Sequence, residues 1–397
     1  MKRFCLLIIP LLALAACGGP VRTDAPAPLP EDAVPFDYGG HLRFDALLFD
    51  TIPARLVFDT GAAGLYVDST WLAASGYAPQ RVSRAFMPGG AGSRMTQVRV
   101  LYDTLSFRID TLAWRSDGLV PVMNLRGILG RDADGIVGQR FFRDRCVAFD
   151  LRRGYMRGVA ADTLESAGFV RLDAERQHDF IYVSARVALD SLHDVEGRFL
   201  LDMGCRDAVV LTARAAREAG FGDFSGRKVG YATLSGGVGG AASSCFCRAA
   251  GMTLGGHAFK NVPVEVSRNE SGFLARTDIV GIIGNELLER FDFAIDFAAP
   301  ALWLRPRADA DEAFPFRSPG FSTIDRTDIG PGWIVTGLYE GYAPDGLRQG
   351  DTLTCWDGVP AAAIKPDSAL RVPGRHRMTI LRHGEETEYE LETKEIL

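Results

Sequence analysis

The sequence predicts an all-β chain in which two tandem β-barrel lobes share a cleft and a smaller β domain follows them. Three observations predict it. An apolar run ending in Asp and Gly occurs twice, first as Leu56-Val57-Phe58-Asp59-Thr60-Gly61 and again as Leu200-Leu201-Asp202-Met203-Gly204. A Gly-hydrophobic-hydrophobic-Gly series follows each, at Gly135 to Gly138 and at Gly281 to Gly284. Finally, a new pattern of short strands and turns begins near Phe321.

Each apolar run reads as a buried strand bounded by turn residues. A carboxylate at the end of such a strand is costly unless paired or used. Two of them, one per copy, therefore point to a site shared by the copies. Between Asp and the second series each copy carries a glycine-rich tip. These are Pro88-Gly89-Gly90-Ala91-Gly92 and Gly236-Gly237-Val238-Gly239-Gly240. Flanked by strand-like runs such as Thr96 to Leu101, they read as hairpins. Beyond each second series comes a hydrophobic-Asp pair, Phe149-Asp150 and Ile295-Asp296. The repeat is too long for a solenoid and suits two lobes.

Asp-Thr-Gly after an apolar strand, a hairpin flap and then Gly138 or Gly284 resembles the retropepsin and pepsin-like aspartic peptidases. The resemblance runs from about Pro35 to Pro306. Two lobes in one chain resemble the pepsin arrangement, whereas the short lobes and Ala62 after Asp-Thr-Gly are more similar to the retropepsin branch. It implies a catalytic dyad of Asp59 and Asp202, with Thr60, Gly61, Met203 and Gly204 forming the active-site turns. Gly61 and Gly204 are expected to let the backbone turn tightly. Gly138 and Gly284 are expected to let a second strand pass close by, and the flaps at Gly89, Gly90, Gly236 and Gly237 to close over an extended peptide.

The chemistry needs this arrangement because two carboxyl groups about 3 Å apart cannot both ionise. One takes a proton from water while the other polarises the scissile carbonyl. The second lobe departs from the family pattern at Met203, where a Thr or Ser hydroxyl usually bonds across to the other lobe, and at Cys205. The leading expectation is an active aspartic endopeptidase. The alternatives are a peptide-binding pseudopeptidase and a structural envelope lipoprotein.

Other carboxylates read as structural: Asp150 and Asp296 on a strand, and Asp68, Asp132 and Asp134 as loop or cap residues. The six histidines show no ligand spacing, so neither a metal nor another cofactor is expected. Cys205 beside the second Asp has no evident His partner and reads as buried or disulfide-bonded, with Cys245 or Cys247 as candidate partners.

At the N-terminus, Lys2 and Arg3 precede an apolar run that ends in Leu14-Ala15-Ala16-Cys17. The run is typical of a secretory signal. Its end resembles a bacterial lipobox, which implies lipidation at Cys17 and an anchor in the cell envelope. Residues 1–17 are then the signal peptide and 18–34 a Pro/Ala-rich tether. The lobes take 35–160 and 161–307.

Residues 318–397 form the third domain. There Gly346-Leu347-Arg348-Gln349-Gly350-Asp351 precedes a strand, and Asp357-Gly358 marks a hairpin. This resembles a bacterial PDZ domain, which implies a possible peptide ligand, with Gly330-Pro331-Gly332 as the carboxylate loop. Its groove helix is expected to be short because of Pro366. With 397 residues, 47% hydrophobic content and a net charge of −6, the chain has no basic block that would suit nucleic acid.

Overall fold

At the centre of the molecule, six antiparallel strands join the two copies. In order they are Val34–Pro35, Tyr155–Gly158, Cys146–Asp150, Phe291–Asp296, Ala301–Pro306 and Val170–Gln177. The middle pairing sets Cys146 opposite Asp296 and Phe149 opposite Phe293, so the order reads the same from either edge. The computed structural model describes residues 28–87, 96–116, 118–237 and 240–397. The chain divides after Glu31 into two units, and both copies lie within the second, residues 32–397.

Around that sheet each copy repeats one topology. In the first, Ile52–Asp59 runs parallel to Gly135–Gly138, which places Gly138 opposite Asp59. Gly135–Gly138 also pairs antiparallel with Leu65–Asp68, which pairs parallel with Val120–Met123. The second copy does the same with Asp194–Leu201, Gly281–Ile283, Val209–Leu211 and His257–Ser267. A hairpin hangs from the outer strand of each. One is Val82–Met87 with Thr96–Leu101, and the other Val229–Thr233 with Ala242–Leu254.

Buried aromatic residues fill both copies as one core. Phe58 stacks on Phe149 and Phe149 on Phe293, with centroids 5.6 and 5.3 Å apart, so the packing crosses the central sheet. Removing one such ring typically costs about 3–5 kcal/mol. After each second strand a side chain caps a short helix. Asp68 accepts from the Thr70 and Trp71 amides at Ser69–Ala74, and Thr212 from Ala215 at Ala213–Glu218. These are ordinary N-caps. Asp150 and Asp296 likewise accept from amides two and three residues on, closing the turns after their strands. Asp134 accepts from the Arg55 amide and pairs with Arg126.

The C-terminal region has a core of its own, including Phe321, Trp333, Val335, Leu353, Trp356, Met378 and Ile380. Its strands are Phe321–Asp325, Trp333–Tyr339, Thr352–Trp356, Gly374–Arg382 and Glu385–Glu395. Its helix Pro366–Ala369 has only four residues, with Pro366 in the first turn where its missing N–H does no harm. Trp333–Tyr339 also pairs with Val229–Thr233, the arm of the second hairpin. Nothing in the hydrophobic periodicity announces that pairing. No helix among the described residues is long and apolar enough to cross a membrane.

Gly330 and Gly332 lie in the loop between Phe321–Asp325 and Trp333–Tyr339. The Gly330 amide donates to Arg326 O. A Cβ on Gly332 would stand 2.7 Å from the carbonyl carbon of Leu353. Two expectations need correction. Cys205, Cys245 and Cys247 are free thiols, as are Cys146 and Cys355. The tether expected through residue 34 stops earlier, because Val34 already pairs with Met156. Cys17, Gly89 and Gly90 lie outside the described residues.

Candidate functional site

Asp59 ends its strand, Asp202 directly follows its own, and the two meet between the copies, each carboxyl group in hydrogen-bonding contact with the other. The turns beneath them match. An Asp59 oxygen accepts from the Gly61 amide at 2.6 Å, and an Asp202 oxygen from the Gly204 amide at 2.8 Å. The carbonyl of each Asp accepts from the amide three residues on, Ala62 or Cys205. Both carboxyl groups are surrounded by protein yet keep some solvent-accessible surface.

The glycines of the turns have a sharper role than expected. Neither Gly61 nor Gly204 adopts positive φ, so conformational freedom does not require them. Space does. A Cβ on Gly61 would stand 2.7 Å from Asp202 Oδ1, and one on Gly204 2.7 Å from Asp59 Oδ2. Each copy leaves out a side chain so that the other copy's carboxyl group can enter. Gly138 and Gly284 make room one level below: a Cβ there would lie 2.6 Å from Ala63 C and 2.7 Å from Cys205 O, respectively.

Electrostatics follow from that proximity. Burial, then the Asp202 charge, pushes the Asp59 carboxyl well above the usual carboxylate range. Burial raises Asp202 too, while the hydrogen bond from Asp59 and the backbone amides hold it lower. The split means that one proton is retained by the pair. The thiol of Cys205 is raised well above its ordinary value by burial and by the Asp207 and Asp202 charges, so it is held as a thiol and not a thiolate nucleophile.

The cross-lobe lock is one-sided. Thr60 Oγ1 donates to Leu201 O at 2.7 Å and accepts from the Met203 amide at 2.8 Å. Met203 offers no hydroxyl in return; its side chain is fully buried in the main core. Two amide side chains add support that the sequence reading missed. Gln139 Nε2 donates to Thr60 O at 2.7 Å, and Asn285 Nδ2 donates to Met203 O at 2.8 Å. Both are buried, and each immediately follows the second Gly of its series. A buried carboxamide after Gly138 and again after Gly284 was the available signal. His41 Nε2 also lies 3.1 Å from Gly204 O, and burial keeps that imidazole neutral.

The hairpins differ between copies. On the first, Val98, Val100 and Ala85 pack with Ala62 and Leu129 beside the Asp59 turn, while Val82 and Phe86 are exposed at 50% and 65%. On the second, Val229–Thr233 is paired on both edges. Gly236 and Gly237 stand at its tip, where the Gly236 amide donates to Gly240 O. Among the described residues no cluster of His, Cys, Asp and Glu is arranged to hold a metal ion.

No family model matches the chain, and no curated protein matches it. Among solved structures it is similar to a retropepsin-like aspartic protease from Rickettsia conorii, at 23% identity and a TM-score of 0.25. The match covers 34% of this chain and 88% of that one. So loose a superposition adds no weight, and the two-lobed all-β architecture stands on the strand pairings themselves.

Proposed function

We propose that the chain is an aspartic peptidase that hydrolyses peptide bonds in an extended polypeptide, with Asp59 and Asp202 as the catalytic pair. The observation that carries this reading is the mutual entry of each carboxyl group into the space left by the other copy's glycine. Nothing in the packing of a structural protein calls for two buried acids in contact, whereas a shared proton does.

The ionised carboxylate takes a proton from water as the water oxygen bonds to the scissile carbonyl carbon. The protonated partner gives its proton to the carbonyl oxygen. Collapse breaks the C–N bond as the newly protonated carboxyl group gives its proton to the leaving nitrogen, and a hydroxyl of the tetrahedral intermediate returns one proton to the other carboxylate, so the pair holds one proton as before. The hairpins supply backbone groups to an extended substrate and exclude water. Cys17 is proposed as the lipid anchor in the envelope, and residues 318–397 as a PDZ-like domain.

A second reading is favoured by Met203. With a hydroxyl on one side only, the pair is less firmly held, which suits a protein that binds peptide without cutting it. Cleavage of a diverse peptide pool by the full chain in mild detergent, from pH 3 to pH 8, separates the two. Loss of cleavage in Asp59→Asn and in Asp202→Asn supports the peptidase. A folded wild type that cleaves nothing, yet binds peptides that Asp59→Asn also binds, supports the second reading.

A further inference from the structure

The twofold likeness of the copies gives the cleft two mouths that ought to be equivalent, and they are not. We propose that residues 317–397 stand across one mouth, so that a peptide enters by a free end on that side and is cut at a set distance from the end. This rests on the peptidase reading above and narrows its substrate to chains with an accessible terminus.

Three attachments carry the inference, each to a different wall. The first is at the dyad turn: Arg206, four residues beyond Asp202, bonds Asp367 of the helix Pro366–Ala369 at 2.6 Å. The second is at the flap arm, where Tyr231, Ala232 and Thr233 pair with Tyr339, Leu338 and Gly337, and the Leu234 amide donates to Thr336 O at 2.8 Å. The third is on the opposite copy, where the Arg131 amide donates to Asp325 O at 2.9 Å and its guanidinium lies 3.3 Å from the Asp325 carboxylate. A body bonded to the floor and roof of one lobe and to the wall of the other lies between them.

The packing at the flap arm is close. The Tyr231 and Tyr339 rings lie 4.6 Å apart, and a Cβ on Gly337 would stand 2.5 Å from Tyr231 Cε2. At the equivalent mouth Ala63 stands where Arg206 does, and the exposed Val82 and Phe86 line the outer arm. On the closed side a strand of the C-terminal region already occupies the edge that a passing polypeptide would follow.

The test uses the full chain and one cleavable peptide core, extended at its N-terminus or at its C-terminus and optionally capped there by a small folded domain. Mass spectrometry reads the cut positions. The expected result is that cuts keep a constant distance from one terminus. A folded cap on that terminus lowers the rate by about 100-fold or more, while a cap on the other changes it by only about 3-fold or less. Arg131→Ala combined with Asp367→Ala should relax the preference toward internal cuts.

Because that variant could fail to fold, the capped peptides are also titrated against Asp59→Asn, where binding should show the same asymmetry. Equal cutting with either end capped overturns the proposal and leaves the peptidase reading intact. A folded wild type that cuts no uncapped peptide overturns the peptidase reading. Equal binding of both capped series to Asp59→Asn then overturns the closed mouth as well.

Discussion

Gly204 shows how little room the candidate site leaves. A methyl group there would press on the Asp59 carboxyl group, so Gly204→Ala should move that group by a fraction of an ångström. Misplacement by about 1 Å can cost roughly 100-fold in rate, so the proposed peptidase activity should fall by about that factor while much of the fold survives. Steady-state assays beside thermal melts would separate the two effects. Thr60→Ala acts differently. It leaves Leu201 O and the Met203 amide buried without their partner, a loss of about 1–3 kcal/mol that Thr60→Ser should largely avoid. Denaturant titration of the three proteins checks this. Asp59→Asn should abolish cleavage and yet raise the melting temperature at pH 7. The native Asp59 holds a proton that the unfolded chain releases near pH 4, so wild-type stability declines as pH rises above that value. The advantage of the Asn variant should vanish below about pH 4, where both states are protonated. A melting-temperature gap that persisted at pH 3 would count against the shared proton.

Among the elements, the two hairpins should differ in motion. Amides of Val82–Met87 should exchange with deuterium faster than those of Val229–Thr233, which pair on both sides. Exchange followed by mass spectrometry tests this directly, and equal protection would contradict the bracing of the second hairpin. Beneath that hairpin, Glu265 faces Asp207. Burial and the Asp207 charge push Glu265 up to about 8, and burial with the same charge raises Glu286 to about 7. Both groups bind more protons folded than unfolded, so they lower stability as pH climbs from about 4.5 to about 8. Glu265→Gln should therefore melt higher than wild type at pH 8 and no higher at pH 4, by calorimetry.

For the whole molecule, much was legible in the sequence because the same spacing occurs twice. Asp59, Asp202 and the two Gly-hydrophobic-hydrophobic-Gly series come together where the doubled pattern placed them. What escaped notice has physical reasons. Gln139 and Asn285 are polar residues inside a core, and their role depends on carbonyls far away in sequence. The pairing of Tyr231 with Tyr339 is strand addition through backbone groups, which any side chains of the right size allow, so no motif announces it. The core shared by the two copies predicts that they melt together in a single transition, while deletion of 317–397 should uncover Tyr231 and Phe246 and promote aggregation.

The central six-stranded sheet has a consequence for how such a molecule can change. Where two identical chains meet across such a sheet, every substitution is made twice, and neither half can drift alone. Here Cys146–Asp150 and Phe291–Asp296 belong to one polypeptide. A single mutation can therefore touch one side of the seam and spare the other. Thr60 keeps its hydroxyl while Met203 has turned inward, and one hairpin is fastened to a later domain while its twin carries an exposed edge. Covalent linkage leaves the two sides of the seam free to specialise separately.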